Sequence, residues 1–94
     1  MKLRLQYSAQ LRAAVGCSEE EIELTDASGL ADLLRFLAGD RGEDARANLL
    51  TDGGDVHSSL MVVVNGVAVP GSNAESIRLN CGDVVTLLPP IGGG

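Results

Sequence analysis

The chain has 94 residues, enough for about one domain with a modest core. Its apolar content of 45% and charged content of 21% are ordinary for a soluble protein, and no apolar run approaches the roughly 20 residues of a membrane span. The net charge of −6 argues against nucleic acid as a partner, because phosphate backbones are bound largely through lysine and arginine. We therefore expect a protein partner with a basic surface.

The start of the chain, "MKLRLQY", alternates polar and apolar residues and lacks the apolar stretch that a signal peptide requires. Cys17 and Cys81 are too few for a disulfide scaffold and match no metal motif. We expect free thiols, a cytoplasmic protein and no metal site, since two cysteines and one histidine supply too few well-spaced ligands.

The first elements are predicted to be two strands. Leu3, Leu5 and Tyr7 alternate with polar residues, a period of two that indicates a half-buried strand. After a turn near Gly16, the alternation in "EEIELT" predicts a second strand that returns beside the first as a hairpin. The acidic run Glu19 to Glu21 is interpreted most simply as a solvated strand edge, and alternatively as a site that attracts a basic partner.

A helix follows, with leucines at the spacing i, i+3, i+4 and i+7 over residues 30–37. Ser28 or Asp26 is available as its N-cap, and Gly39 is placed to end it in a left-handed turn. Residues 39–60 contain glycine turns and scattered charge, so we expect a long surface excursion, that is, a loop outside the core, which could include a short helix around residues 45–50. His57 is expected to be a solvated loop residue, because neighbouring serines do not make a nucleophile and base.

The remaining elements are predicted to be strands. Asn65-Gly66 lies within "MVVVNGVAV" and favours a type I′ hairpin turn. After a turn at Gly82-Asp83, "VVTLL" predicts the last strand, which would lie centrally if it paired parallel to the first. The pattern indicates an α+β fold with helices on one face of a mixed sheet.

The chain ends in "PPIGGG", which raises a chemical question. Two prolines favour an extended course, and three glycines add no side chain that would widen the strand. These last six residues can span at most about 20 Å, enough to enter a neighbouring active site. The tail is interpreted either as a frayed glycine end or as a handle whose α-carboxylate becomes reactive once it is adenylated.

The end "LNCGDVVTLLPPIGGG" closely resembles the C-terminus of the MoaD/ThiS family of ubiquitin-like sulfur carrier proteins, especially the MoaD branch, the small subunit of molybdopterin synthase. "YSAQLRAAVGCSEEEIEL", "LADLLRFLA" and "MVVVNGVAV" resemble the family's opening hairpin, helix and second hairpin. The resemblance implies a β-grasp domain over residues 1–88, with one main helix on one face of the sheet. It also implies a flexible, extended tail over residues 89–94. Gly92, Cys81, Leu87 and Leu88 depart from the residues usual in the family.

By the same resemblance, Gly94 is the residue whose carboxylate is adenylated and then thiocarboxylated. The segment that enters the partner comprises Pro89, Pro90, Ile91, Gly92 and Gly93. An E1-like adenylyltransferase of the MoeB type would use ATP to activate Gly94, a sulfurtransferase would supply sulfur, and a MoaE-type large subunit would receive it. The protein itself would be a monomer when free, hold no cofactor and contribute no catalytic side chain.

Other functions stay open on the sequence. The sulfur could serve thiamine, cysteine or tRNA thiolation pathways, and a ubiquitin-like modifier joined to lysines would share the activation step. Lys2 is the only lysine, so branched chains of such a modifier would have almost nowhere to form. A β-grasp binding module without chemistry is the third alternative; an iron–sulfur version would need about four cysteines.

Overall fold

The computed structural model describes residues 1–88, and the predicted tail, residues 89–94, lies outside the described residues. The elements are, in chain order, β1 (Lys2–Tyr7), α1 (Ala9–Val15), β2 (Glu19–Glu23), α2 (Leu30–Asp40), α3 (Glu43–Leu49), β3 (Met61–Val64), β4 (Val67–Pro70), a 3₁₀ helix (Gly71–Ser76) and β5 (Val84–Leu88). No helix among residues 1–88 is long and apolar enough to span a membrane.

The five strands form one mixed sheet in the order β2-β1-β5-β3-β4. The last strand lies at the centre, parallel to β1 and antiparallel to β3. The parallel pairing with β1 is the condition under which the sequence predicted a central position for this strand. Strands buried on one face alternate inward and outward side chains. Leu3, Leu5 and Tyr7 point into the core, where they join buried residues of β3, β5 and all three α-helices. The helices therefore cover one face of the sheet.

The predicted hairpin turn is confirmed. Asn65 and Gly66 have φ values of 50° and 86°, the two positive values that a type I′ turn requires. β3 and β4 pair antiparallel on either side of it, with Val64 opposite Val67.

The chain between β1 and β2 differs from the prediction of a simple turn, because it forms α1. This helix ends at Gly16, whose amide donates to the Arg12 carbonyl at 2.9 Å. Leu11 is fully buried and anchors the helix, while the rest of "AQLRAAV" consists mainly of good helix formers. Leu11, Ala14 and Val15 have the spacing i, i+3 and i+4 and all contact the core, but this single turn is too short a pattern to predict a helix.

The predicted ends of the main helix were wrong. α2 begins after Gly29, whose amide donates to Asp32 Oδ2 at 2.9 Å, and the Ser28 hydroxyl bonds to the Thr25 carbonyl instead of capping. Leu30 N–H donates to the Ile77 carbonyl at 2.9 Å, so a contact with a distant segment fixes the start of the helix. The helix continues through Gly39 to Asp40.

Residues 39–60 are not a surface excursion. They contain α3, slightly earlier than the short helix expected around residues 45–50, and this helix contacts α1 and α2. Four of their apolar side chains, Ala45, Leu49, Leu50 and Leu60, are buried in the core. His57 lies in a loop, as expected, but it is half-buried and its Nε2 lies 3.1 Å from the Ala47 carbonyl oxygen.

Candidate functional site

The site predicted from the sequence is the tail from Pro89 to Gly94, which lies outside the described residues. The structure does describe the strand that leads into it. Leu88 ends β5 opposite Met61, and Leu87 is in register with Tyr7 of β1. Ser8, just beyond β1, directs both its amide and its hydroxyl to the Leu87 carbonyl at 3.3 Å. The last carbonyls before the tail are therefore held between two neighbouring strands.

The other end of β5 is fixed by a side-chain clamp. Asn65 Nδ2 donates to Asp83 Oδ1 at 2.8 Å, and Asn65 Oδ1 accepts from the Val84 amide at 2.9 Å. The second carboxylate oxygen of Asp83 accepts from the Asn80 amide at 2.8 Å. Asp83 is the buried polar residue of the described core, at 8% exposure, and both its oxygens are satisfied. The clamp ties the β3–β4 turn to the first residue of β5.

The sheet face opposite the helices is apolar around the end of β5. We define the outer apolar patch as Met61, Val63, Ala68, Pro70 and Leu88, which the register places on this face of β3, β4 and β5. Met61 is 38% exposed, Ala68 and Pro70 are exposed, and Val63 and Leu88 are half-buried. Exposed apolar residues that adjoin one another indicate an interaction surface more often than scattered ones do.

The same face is polar over β1 and β2. Thr86 Oγ1 donates to Gln6 Oε1 at 2.9 Å, and Gln6 Nε2 lies 3.4 Å from Glu19 Oε2. Arg4 forms an ion pair with the other oxygen of Glu19 at 3.1 Å. This row of contacts marks the boundary of the outer apolar patch on the β1 side.

One polar cluster on the helix face lies close to the strand that carries the tail. Glu20 of β2 accepts from Tyr7 Oη at 2.5 Å and from Arg41 Nη2 and Nε at 2.7 and 3.1 Å. Burial raises the pKa of Tyr7 far above its usual value, and the hydrogen bond to Glu20 adds to this shift. Burial alone would raise the pKa of Glu20, but the bonds from Arg41 and Tyr7 hold it below its usual range. Only part of the acidic run Glu19 to Glu21 is therefore a solvated edge.

A model of the ThiS family matches residues 5–94, which include both the β5 strand and the tail. The chain belongs to the ThiS family. Its fold is the ubiquitin-like β-grasp that the resemblance implied: the SAMP1 protein of Haloferax volcanii superposes with a TM-score of 0.83 at 22% identity, over 100% of both chains.

Two further relatives of this ThiS-family protein carry functional names. "Small archaeal modifier protein 3" of Haloferax volcanii is 31% identical over 94 residues, which cover 100% of both chains. A putative molybdopterin converting factor, subunit 1, from Pyrococcus furiosus is 27% identical with a TM-score of 0.73, over 97% of this chain and 99% of that one. The protein is thus one of the small ubiquitin-like carriers and modifiers, and proteins of the MoaD type are among its structural neighbours.

Within residues 1–88 of this ThiS-family protein, no hydrogen bond joins His57 to either of the serines beside it. The ring of His57 bonds a main-chain oxygen, and within residues 1–88 both cysteines are free, Cys17 half-buried and Cys81 exposed. Residues 1–88 instead provide a strand, β5, that is hydrogen-bonded at both ends and leads into residues 89–94, and an apolar surface beside the end of that strand. The sequence predicted the tail as a functional segment. It did not predict the outer apolar patch, because the residues of the patch come together only when β3, β4 and β5 pair.

Proposed function

We propose that this protein is a sulfur carrier whose C-terminal Gly94 is activated and converted to a thiocarboxylate. The carboxylate of Gly94 would attack the α-phosphate of ATP on an E1-like adenylyltransferase of the MoeB type and release pyrophosphate. A sulfur donor supplied by a sulfurtransferase would then form the C–S bond while the C–O bond to AMP breaks. The protein would hold no cofactor of its own, since ATP is consumed on the partner.

One observation carries this proposal. The central strand β5 is held at both ends, by the Asn65–Asp83 clamp and by Ser8, and the sequence "PPIGGG" continues directly from it. A carboxylate on a short tail must reach one point in a partner. Because β5 is held in place, the protein loses less conformational entropy when the tail docks there. The outer apolar patch around Leu88 would contact the partner that receives the tail.

The recipient of the sulfur is proposed to be a MoaE-type large subunit, so that the two chains would form molybdopterin synthase. The 27% identity with a putative molybdopterin converting factor subunit supports this choice. A second candidate function is a protein modifier that ends in amide linkage to lysines, which the 31% identity with a small archaeal modifier protein supports. Both use the same activated Gly94 and differ in whether sulfur or an amine displaces AMP.

The test is intact-mass measurement after incubation with ATP, a MoeB-type enzyme and a sulfur source. We expect the mass gain that corresponds to replacing one carboxylate oxygen by sulfur. A variant that lacks Gly94 should fold normally and gain nothing, because its carboxylate falls short of the adenylating centre. A wild-type rate in that variant would mean that the reactive group lies elsewhere, with Cys17 and Cys81 the next residues to examine.

A second arm separates the two candidate functions. The thiocarboxylated protein is mixed with a MoaE-type subunit and its sulfur-accepting substrate. In parallel, the protein with its free carboxylate is mixed with ATP, the MoeB-type enzyme and lysine-containing proteins, so that a lysine amine can displace AMP. Return of the carboxylate with sulfur in the small product supports the carrier function. Amide-linked conjugates of higher mass support the modifier function.

A further inference from the structure

The strand β2 presents an open row of backbone groups at the edge of the sheet. Among residues 1–88 it pairs only with β1. Tyr7 N–H donates to the Ser18 carbonyl at 2.8 Å and Leu24 N–H to the Met1 carbonyl at 3.0 Å, so the even-numbered residues of this stretch direct their backbone groups toward β1. The N–H and C=O groups of the odd-numbered residues, Glu19, Glu21 and Glu23, consequently point away from the sheet.

The two sides of this edge differ in character. On the outer face, the exposed side chains of Glu19, Glu21 and Glu23 line the strand. On the helix face lie the half-buried Ile22 and, beside Arg41, the ring of Phe36, which is 40% exposed. Arg41 connects Phe36 to the edge strand because its guanidinium lies 6.0 Å from the ring centroid and also bonds to Glu20.

We propose that the β2 edge binds an extended segment of a partner protein in which cationic residues alternate with apolar ones. Side chains directly opposite one another on paired strands lie on the same face. Cationic residues opposite Glu19, Glu21 and Glu23 therefore lie beside carboxylates. The two intervening apolar residues lie opposite Ile22 and opposite Glu20, whose carboxylate is already paired with Arg41 on the side of Phe36. The partner's main chain would supply the hydrogen bonds that the odd-numbered glutamates leave open.

Charge selects this occupant over a second copy of the chain. Pairing two β2 edges would bring two rows of glutamate side by side, and like charges directly opposite one another destabilise a sheet. The other edge strand, β4, has only four residues and ends in Pro70, which has no amide hydrogen to donate. The proposed surface requires neither Gly94 nor the outer apolar patch, so it is independent of the proposed sulfur chemistry.

The experiment is titration of ¹⁵N-labelled full-length protein with a short, end-blocked peptide that alternates lysine and valine. We expect amide shifts concentrated at Glu19, Glu21 and Glu23, and weaker binding at higher salt. A peptide of the same composition with its lysines and valines in separate blocks should bind at least about tenfold more weakly, because it cannot satisfy both faces. Equal binding of the two peptides, no binding of either, or shifts centred on another surface would overturn the proposal.

Two matched variants separate the contribution of the backbone hydrogen bond to peptide binding from that of the side-chain charge. Glu21→Pro removes an amide hydrogen that points away from β1, and it should weaken peptide binding about tenfold. Glu21→Gln keeps that hydrogen and should weaken binding only about two- to threefold, as expected for one exposed charge pair. If Glu21→Pro binds the peptide as tightly as Glu21→Gln does, strand addition is excluded.

A change in the peptide gives the same test without altering the protein. N-methylation of the peptide amides that face the edge should abolish binding, whereas N-methylation of the alternate amides should not. This arm decides the question if Glu21→Pro fails to fold. Removal of Gly94 should leave the peptide affinity unchanged, so a failure of the sulfur-carrier proposal would not resemble a failure of this one.

Discussion

Replacing Glu20 by glutamine tests how much the cluster on the helix face contributes to stability. The Glu20 carboxylate accepts three hydrogen bonds, one from Tyr7 and two from Arg41. The side chains of Glu20 and Arg41 are only 22% and 21% exposed, so their interaction is screened less than a surface ion pair. Glutamine keeps one acceptor oxygen but loses the charge. Arg41 retains an ion pair with Asp40, which limits the loss.

We expect Glu20→Gln to lower the free energy of unfolding by about 2 kcal/mol at neutral pH, the range for hydrogen bonds to charged groups. That is a substantial part of the roughly 5–15 kcal/mol typical of a domain. Urea unfolding followed by circular dichroism measures it, with Glu21→Gln as the matched control. Because Glu21 lies on the exposed face of the same strand, its replacement should change stability by less than about 0.5 kcal/mol.

The pH dependence gives an independent check. The folded-state pKa of Glu20 is held below its usual range, so the unfolded chain takes up the proton first as the pH falls. The contribution of Glu20 is therefore fully present above the unfolded pKa of about 4.3 and is lost as the pH falls through the lower, folded value. The stability gap between wild type and Glu20→Gln should narrow below about pH 4. A gap that is absent at pH 7, or undiminished in acid, would refute this reasoning.

Four other substitutions probe separate parts of the protein. Gly93→Val should leave urea unfolding unchanged but slow thiocarboxylate formation, followed by intact mass, at least about tenfold, because a β-branched residue restricts the backbone and widens the tail. Met61→Glu should raise the KM for the carrier in the adenylation assay about tenfold with kcat little changed; an unchanged KM would remove the outer apolar patch from the partner interface. Asn65→Ala should cost about 2 kcal/mol in urea unfolding, because it loses two hydrogen bonds and places alanine at a φ of 50°. Leu49→Ala should cost about 2–5 kcal/mol by the same assay, and a cost below about 1 kcal/mol would contradict the core position of α3.

The strands could be predicted from the sequence because their signals are local. Alternation in β1 and β2 and the Asn65-Gly66 turn depend on residues within a few positions of one another, and the structure confirms them. On the sequence alone, β5 is expected at the centre of the sheet on the condition that it pairs parallel to β1. The structure shows both that pairing and the central position.

The elements that were missed depend on distant contacts. α1 is anchored mainly by the buried Leu11. α2 begins at Leu30, whose amide bonds to the Ile77 carbonyl, 47 residues further along the chain. A short helix was expected around residues 45–50, but the burial of Leu49 and Leu50 was not, because it depends on the contacts of α3 with α1 and α2. The cluster of Tyr7, Glu20 and Arg41 likewise needs the end of α2 to reach β2, which no short window of sequence contains.

The positions of these interactions imply that stability and chemistry can be altered separately in this protein. Asp83 and Ser8 hold the two ends of β5 through hydrogen bonds that form on folding. Substitutions at these residues should therefore change the stability of the folded domain and the direction in which β5 leads into the tail. The tail begins one residue after Leu88, and the proposed chemistry requires only its length, its glycines and its terminal carboxylate. A loss of sulfur transfer without a loss of stability therefore identifies the tail or the partner surface as the affected part. A parallel loss of both identifies the body, because an unfolded chain presents its terminal carboxylate without the strand that positions it.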